Sequence, residues 1–205
     1  MATKMNLPNR LSILRVILTP LFMLAALLMQ SLPIWTRIVP ALLFLAASIT
    51  DLLDGKIARK RGIVTDFGKF IDPLADKFMI FAACITLLVI EPALSPVFVW
   101  VSAVVMLREL AVTSLRLVVA GQSGIVVAAS FFGKCKTVTQ VVAVMVMLLE
   151  PVLAWLCSLI SLDPLTAFFS YHVLSYVAMA AMAITTVASG LDYMKSYFPY
   201  IDSNK

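Results

Sequence analysis

Six apolar runs, each about as long as a bilayer is thick, follow one another through this chain with short polar stretches between them. The first covers Leu11 to Met29. The second starts near Ile34, reaches Thr50, and continues in helix-forming residues to Arg59. A third begins at Asp66, with Thr65 or Asp66 as its N-cap, and ends at Ile90. A fourth spans Pro96 to Val119, a fifth Lys136 to Leu159 with Pro151 as a bending point, and a sixth Ser170 to Leu191. A membrane-crossing helix needs about 20 residues. Lys60-Arg61-Gly62, Glu91-Pro92, Ser95-Pro96 and the turn at Ser161-Leu162-Asp163-Pro164 separate the runs, and Gly121 to Gly133 is a small-residue connection.

Composition closes off the soluble alternatives. Of 205 residues, 62% are hydrophobic and 13% charged, and the mean hydropathy is +1.02. A soluble domain is about 45–50% apolar, and one of this size buries only about 70% of its unfolded surface. The expectation is an all-α integral membrane protein of six transmembrane helices, forming one membrane-embedded domain over residues 1–205. A secretory signal would have a shorter apolar core followed by an exported polar domain, so the first run is expected to be an uncleaved span. No room remains for a separate soluble domain, so any chemistry must sit on the helices or their ends.

The charges orient the bundle. Net charge is +5, which in a soluble chain suggests nucleic acid, but in a bilayer protein basic residues set topology and meet anionic lipid. No nucleic-acid partner is therefore expected. Lys4, Arg10, Arg59, Lys60, Arg61, Lys134, Lys136, Lys195 and Lys205 fall on one side, whereas Arg37 alone, with Glu91 and Asp163, falls on the other. Positive residues inside put both termini, residues 1–10 and 192–205, in the cytoplasm. Cys84, Cys135 and Cys157 sit in apolar segments without CxxC spacing and read as small core hydrophobes. His172 lies near the far end and is expected to pack or to make an interfacial hydrogen bond. Trp35, Trp100 and Trp155 read as interface anchors.

Against this apolar background, four aspartates stand out. Asp51 and Asp54 are three residues apart, and Asp72 and Asp76 four apart, so each pair shares a helix face. The turn between the two helices is short, so the pairs face one another near the cytoplasmic ends. Uncompensated, four such carboxylates would cost on the order of 10 kcal/mol in a bilayer. As mere caps and surface ion pairs they leave that cost unexplained, although Asp66 does read as a cap. Converging carboxylates without His or Cys make a hard, all-oxygen site that suits two Mg²⁺ or Mn²⁺ ions. Paired divalent ions commonly clamp a phosphoryl group during in-line displacement. Gly55 and Gly68 let a substrate approach closely, Ala58 lies one turn from Asp54, and Arg59 can hold a phosphate.

The spacing Asp51-x2-Asp54-Gly55-x2-Ala58-Arg59-x8-Gly68-x3-Asp72-x3-Asp76 resembles, position for position, the signature of the CDP-alcohol phosphotransferase family. That resemblance implies a six-helix membrane fold, a homodimer, and displacement of CMP from a CDP-linked lipid by an alcohol with two divalent cations. It implies that Asp51, Asp54, Asp72 and Asp76 ligate metal, with Asp76 also the catalytic base. Asp54, Gly55, Ala58, Arg59 and Gly68 would bind the CDP-lipid.

A second set of charges points to the acceptor. Arg108-Glu109, Ser114 and Arg116 lie in the fourth run, and Gly133-Lys134-Cys135-Lys136-Thr137 opens the fifth. Arg108 and Arg116 are about two turns apart and share a face. Glu109 cannot neutralise four cations, so the surplus reads as a pocket for an acceptor carrying its own phosphate. The bland alternative is snorkelling to headgroups together with the Glu109 pair. These residues, with Leu7-Pro8-Asn9, Arg15 and Gln140, are similar to the branch of the family that uses CDP-diacylglycerol and glycerol 3-phosphate. By that match Arg108, Arg116, Lys134 and Lys136 would bind the acceptor phosphate. Inositol phosphate as acceptor stays open, and a divalent-cation transporter is the rival from another class. The nearly uniformly apolar stretch from Phe78 to Ile90 offers such a transporter no polar path onward.

Overall fold

The structure, a computed structural model, describes residues 6–61, 66–123 and 131–197. Among the described residues seven helices follow in order: α1 Leu7–Leu28, α2 Ile38–Arg61, α3 Asp66–Ile90, α4 Ser95–Ser123, α5 Phe131–Leu159, α6 Asp163–Ser170 and α7 Val173–Tyr197. No strand occurs among the described residues. All but α6 are long and apolar enough to cross a membrane, giving the expected six spans.

Several boundaries differ from the sequence reading, each for a local reason. Helix α1 starts at Leu7 because Pro8 presets the helical φ where no N–H partner is required. Two short 3-10 turns at Met29–Ser31 and Ile34–Arg37 carry the chain around Pro33, whose carbonyl accepts the Thr36 hydroxyl at 2.7 Å. The Gly121–Gly133 connection is shorter than expected, since α4 runs to Ser123 and α5 starts at Phe131. Residues 124–130 lie outside the described ones, as does Thr65. After the turn at Ser161, an eight-residue helix, α6, precedes the last span, opened by Asp163 and Pro164 in its first turn. The last span then starts at Val173, with His172 at φ 54° making the bend into it. It continues past Leu191 to Tyr197, and Tyr193 and Tyr197 are buried in it. Helix α5 passes unbroken through Pro151.

Helix α1 packs on α2 and α3, α5 packs on α7 and α6, and α4 packs on α7 and α3. Phe22, Phe44, Leu87, Phe98, Met147 and Met182 meet in the core, with the Phe22 and Phe44 rings 5.5 Å apart. Cys84 is buried in this core and Cys135 and Cys157 are half-buried, all three as free thiols. Large apolar side chains such as Leu107, Trp100, Leu117 and Ile184 point outward, as a lipid-facing surface requires.

The two ends of the bundle differ. At one end Arg37 forms an ion pair with Glu91, and its Nη2 also donates to the Ile90 carbonyl at 3.4 Å. Glu150, fully buried, accepts the backbone N–H of Leu174 at 2.9 Å and of Ser175 at 2.8 Å, together with the Ser175 hydroxyl. The aspartates lie at the other end.

Candidate active site

Helix α1 presents a buried polar stripe to its neighbours: Asn9, Ser12, Arg15 and Thr19, spaced by three or four residues and hence on one face. Arg15 is the decisive member. Its side chain has no exposure, and its Nη1 lies 3.0 Å from Asp51 Oδ1 on α2 and also pairs with Asp76 Oδ1 on α3. One turn earlier, the Ser12 hydroxyl donates to Asp72. Three aspartates from two helices are thus drawn together by one face of a third.

Asp51, Asp72 and Asp76 line a cavity of about 300 Å³. Asp54, Gly55, Ala58 and Arg59 lie on α2, and their side-chain surroundings fall outside the described residues, as do those of Asp66. Gly68 is buried on α3, a few residues before Asp72.

The opposite wall of the same cavity is built by α4, α5 and α7. Arg108, Glu109 and Arg116 come from α4, Lys136 and Gln140 from α5, and Tyr193 from α7. Lys136 is buried and forms an ion pair with Glu109, and Arg108 Nη1 stands 3.4 Å from the same carboxylate. Arg108 Nη2 donates to Ser189 Oγ at 2.6 Å, and Arg116 Nη2 to the Tyr193 hydroxyl at 3.4 Å. Lys134 and Ser114 are exposed and do not line the cavity. The structure therefore joins Arg108, Arg116 and Lys136 to the aspartates in one space and leaves Lys134 on the outer surface of α5.

The carboxylate wall offers oxygen donors, the kind that hard divalent cations take. Asp51 and Asp76 already converge on a single cationic nitrogen, and their donors are all oxygen, the chemistry of a hard ion. Among the described residues, no three acidic, His or Cys side chains are gathered closely enough to hold an ion in this arrangement. Arg15 supplies the positive charge that Asp51 and Asp76 share.

The model of the family described as CDP-alcohol phosphatidyltransferase matches residues 5–188. The chain belongs to this family. Like other CDP-alcohol phosphatidyltransferases it is a multi-pass membrane enzyme. A CDP-diacylglycerol–glycerol-3-phosphate 3-phosphatidyltransferase of Bacillus subtilis is 44% identical over 155 residues, 71% of this chain and 77% of that one. A probable phosphatidylglycerophosphate synthase of Mycobacterium tuberculosis is 38% identical over 189 residues, 92% of this chain and 80% of the relative. A CDP-diacylglycerol–glycerol-3-phosphate 3-phosphatidyltransferase of Pseudomonas fluorescens is 30% identical over 205 residues, 98% of this chain and 94% of that one.

Sequence reasoning missed three residues of this CDP-alcohol phosphatidyltransferase site. Ser12 was legible in principle as the residue one turn from both Asn9 and Arg15. Tyr193 was hidden by Asp192, which made the end of α7 look like a polar tail, and Ser189 lay inside the sixth run with nothing to set it apart from its neighbours. The run Ser189, Tyr193, Tyr197, spaced by four, was the signal that the helix continues.

Proposed function

We propose that this chain transfers the phosphatidyl group of CDP-diacylglycerol to glycerol 3-phosphate, forming phosphatidylglycerophosphate and releasing CMP. The observation that carries this reading is a single cavity with a carboxylate wall facing a cationic wall. On the cationic wall, Arg108, Arg116 and Lys136 bring three positive charges and Glu109 removes one, leaving two. A phosphate monoester carries about −1.5 to −2 at neutral pH, so a phosphorylated acceptor balances that surplus, whereas an uncharged alcohol does not.

The reaction follows from the two walls. Arg108 and Arg116 hold the acceptor phosphate and Lys136 adds its charge, which aims the free hydroxyl across the cavity. Asp76, half exposed to the cavity, takes the hydroxyl proton. The hydroxyl oxygen forms a bond to the lipid-bearing phosphorus as the bond from that phosphorus to CMP breaks. Asp51, Asp54, Asp72 and Asp76 would hold two divalent cations, Mg²⁺ or Mn²⁺, which when bound supply charge stabilisation to the diphosphate. Gly55, Ala58, Arg59 and Gly68 would receive the CDP moiety, with the acyl tails left in lipid. Lys134, on the outer surface of α5, would attract the phosphate on approach by its charge alone.

The basic residues clustered at the aspartate end favour a cytoplasmic site with both termini on that side, in a bacterial plasma membrane. The family resemblance further supports a pair of identical chains.

The test is CMP release by the purified protein from CDP-diacylglycerol with a panel of acceptors. Glycerol 3-phosphate should support turnover, chelator should abolish it, and Asp76→Asn should lower kcat by about 10²-fold or more, the scale of a lost general base. Turnover with inositol phosphate and none with glycerol 3-phosphate would overturn the choice of acceptor. Metal uptake into liposomes without turnover would support the transporter instead.

A further inference from the structure

The end of α7 meets the two arginines of the cationic wall in a way that neither the signature nor the acceptor motif accounts for. The Tyr193 ring has the Arg108 guanidinium carbon 5.3 Å from its centroid and that of Arg116 at 5.8 Å. Both lie within cation–π range. The Tyr193 hydroxyl also accepts from Arg116 Nη2 at 3.4 Å. One turn earlier on the same face, Ser189 Oγ accepts from Arg108 Nη2 at 2.6 Å. Between them, a Cβ built on Gly190 would come 3.4 Å from Arg108 Cγ, so the glycine lets α7 lie against the arginine stem. Tyr197, fully buried, stacks on Tyr193 with ring planes 14° apart and braces the ring from below.

Two guanidinium groups repel each other and have long, mobile stems. A shared aromatic ring beside both reduces that repulsion and fixes their planes before any anion arrives. We infer that Tyr193, aided by Ser189, is a positioning residue that holds Arg108 and Arg116 as a preformed phosphate clamp, so that α7 sets affinity for the phosphorylated acceptor. This inference rests on the proposed function for the identity of the acceptor, but the clamp itself is a property of the arginines and any phosphate monoester.

The test uses the full-length protein in detergent or nanodiscs. Binding of inorganic phosphate and of glycerol 3-phosphate is measured by calorimetry, alongside steady-state kinetics, for wild type, Tyr193→Phe, Tyr193→Leu and Ser189→Ala. Phe keeps the ring and loses a long hydrogen bond, so its phosphate affinity should stay within about threefold of wild type. Leu removes the ring, and affinity for both anions should fall on the order of tenfold. KM for glycerol 3-phosphate should rise in step, with a smaller change in kcat and none in KM for the CDP-lipid. Ser189→Ala, which changes little volume, should raise the same KM several-fold. It keeps the test valid if Tyr193→Leu fails to fold. Equal phosphate affinity in wild type, Tyr193→Leu and Ser189→Ala overturns the inference. Absence of CMP release by wild type with glycerol 3-phosphate overturns the acceptor assignment instead, and leaves the phosphate-binding comparison to judge the clamp.

Discussion

Arg15 is a fully buried cation in the first membrane helix, and its position is explained only by its partners. An unpaired guanidinium in a bilayer is costly, and so are the carboxylates of Asp51 and Asp76 without it. Each side of the contact therefore makes the other tolerable. Removing one partner of a buried pair costs about 3–5 kcal/mol. With half of the Asp76 side chain exposed, about 2–3 kcal/mol is a fairer expectation for Arg15→Gln. Measured with chelator present, the melting midpoint of Arg15→Gln should drop by several degrees, and saturating Mg²⁺ should restore much of it. Arg15→Lys should lose less, because the charge is kept. An unchanged midpoint in chelator would show that the aspartates do not depend on this arginine. At this scale the sequence was informative where chemistry and spacing coincide. Four aspartates in apolar helices announce a site whatever their packing. It picked out Arg15 only through a motif similarity and gave it no role, because an arginine there suits a lipid-facing anchor as well as a buried counter-charge, and only the placement of α1 against α2 and α3 decides between them.

The ends of elements carry the next set of interactions. The N-terminus of α7 needs partners for its first N–H groups, and they come from another helix: Glu150 on α5 takes those of Leu174 and Ser175. The carboxylate is also on the favourable side of the α7 dipole. This link ties α7 to α5 at the end of the bundle away from the aspartates. Glu150→Gln loses the charge but keeps one acceptor and should cost about 1–2 kcal/mol, read as a fall in melting midpoint. Glu150→Ala leaves the N–H groups unpaired and should cost more. Turnover per folded molecule well below the melting transition should stay close to wild type, since Glu150 does not touch the cavity. A midpoint unchanged in both variants would mean that α7 is held by its packing alone. The six long helices were legible because each is a run of apolar residues of bilayer length. Helix α6 was not, because Asp163-Pro164 is equally a turn signal and a helix start. The last two turns of α7 were not, because Asp192 and Lys195 make them look solvated when viewed without Tyr193 and Tyr197.

Across the whole molecule, the polar groups divide between the two ends of an otherwise apolar bundle. At the far end Arg37 is paired with Glu91, so its charge is compensated locally, and Asp163 and Glu150 add negative charge. At the aspartate end, basic residues gather near the ends of α1, α2, α5 and α7. The asymmetry is therefore stronger than a count of basic residues alone conveys, and it supports the proposed cytoplasmic placement of the aspartate end. Labelling in a background with Cys84, Cys135 and Cys157 replaced by alanine checks this. Ser161 is exposed beside α6 at the far end, and Lys134 is exposed near the start of α5 at the aspartate end. Ser161→Cys should react with a membrane-impermeant maleimide in intact cells. Lys134→Cys should react only after the membrane is opened. The reverse pattern would place the cavity outside the cell, where a cytosolic phosphorylated acceptor cannot reach it, and would break the link between the charge distribution and the proposed reaction.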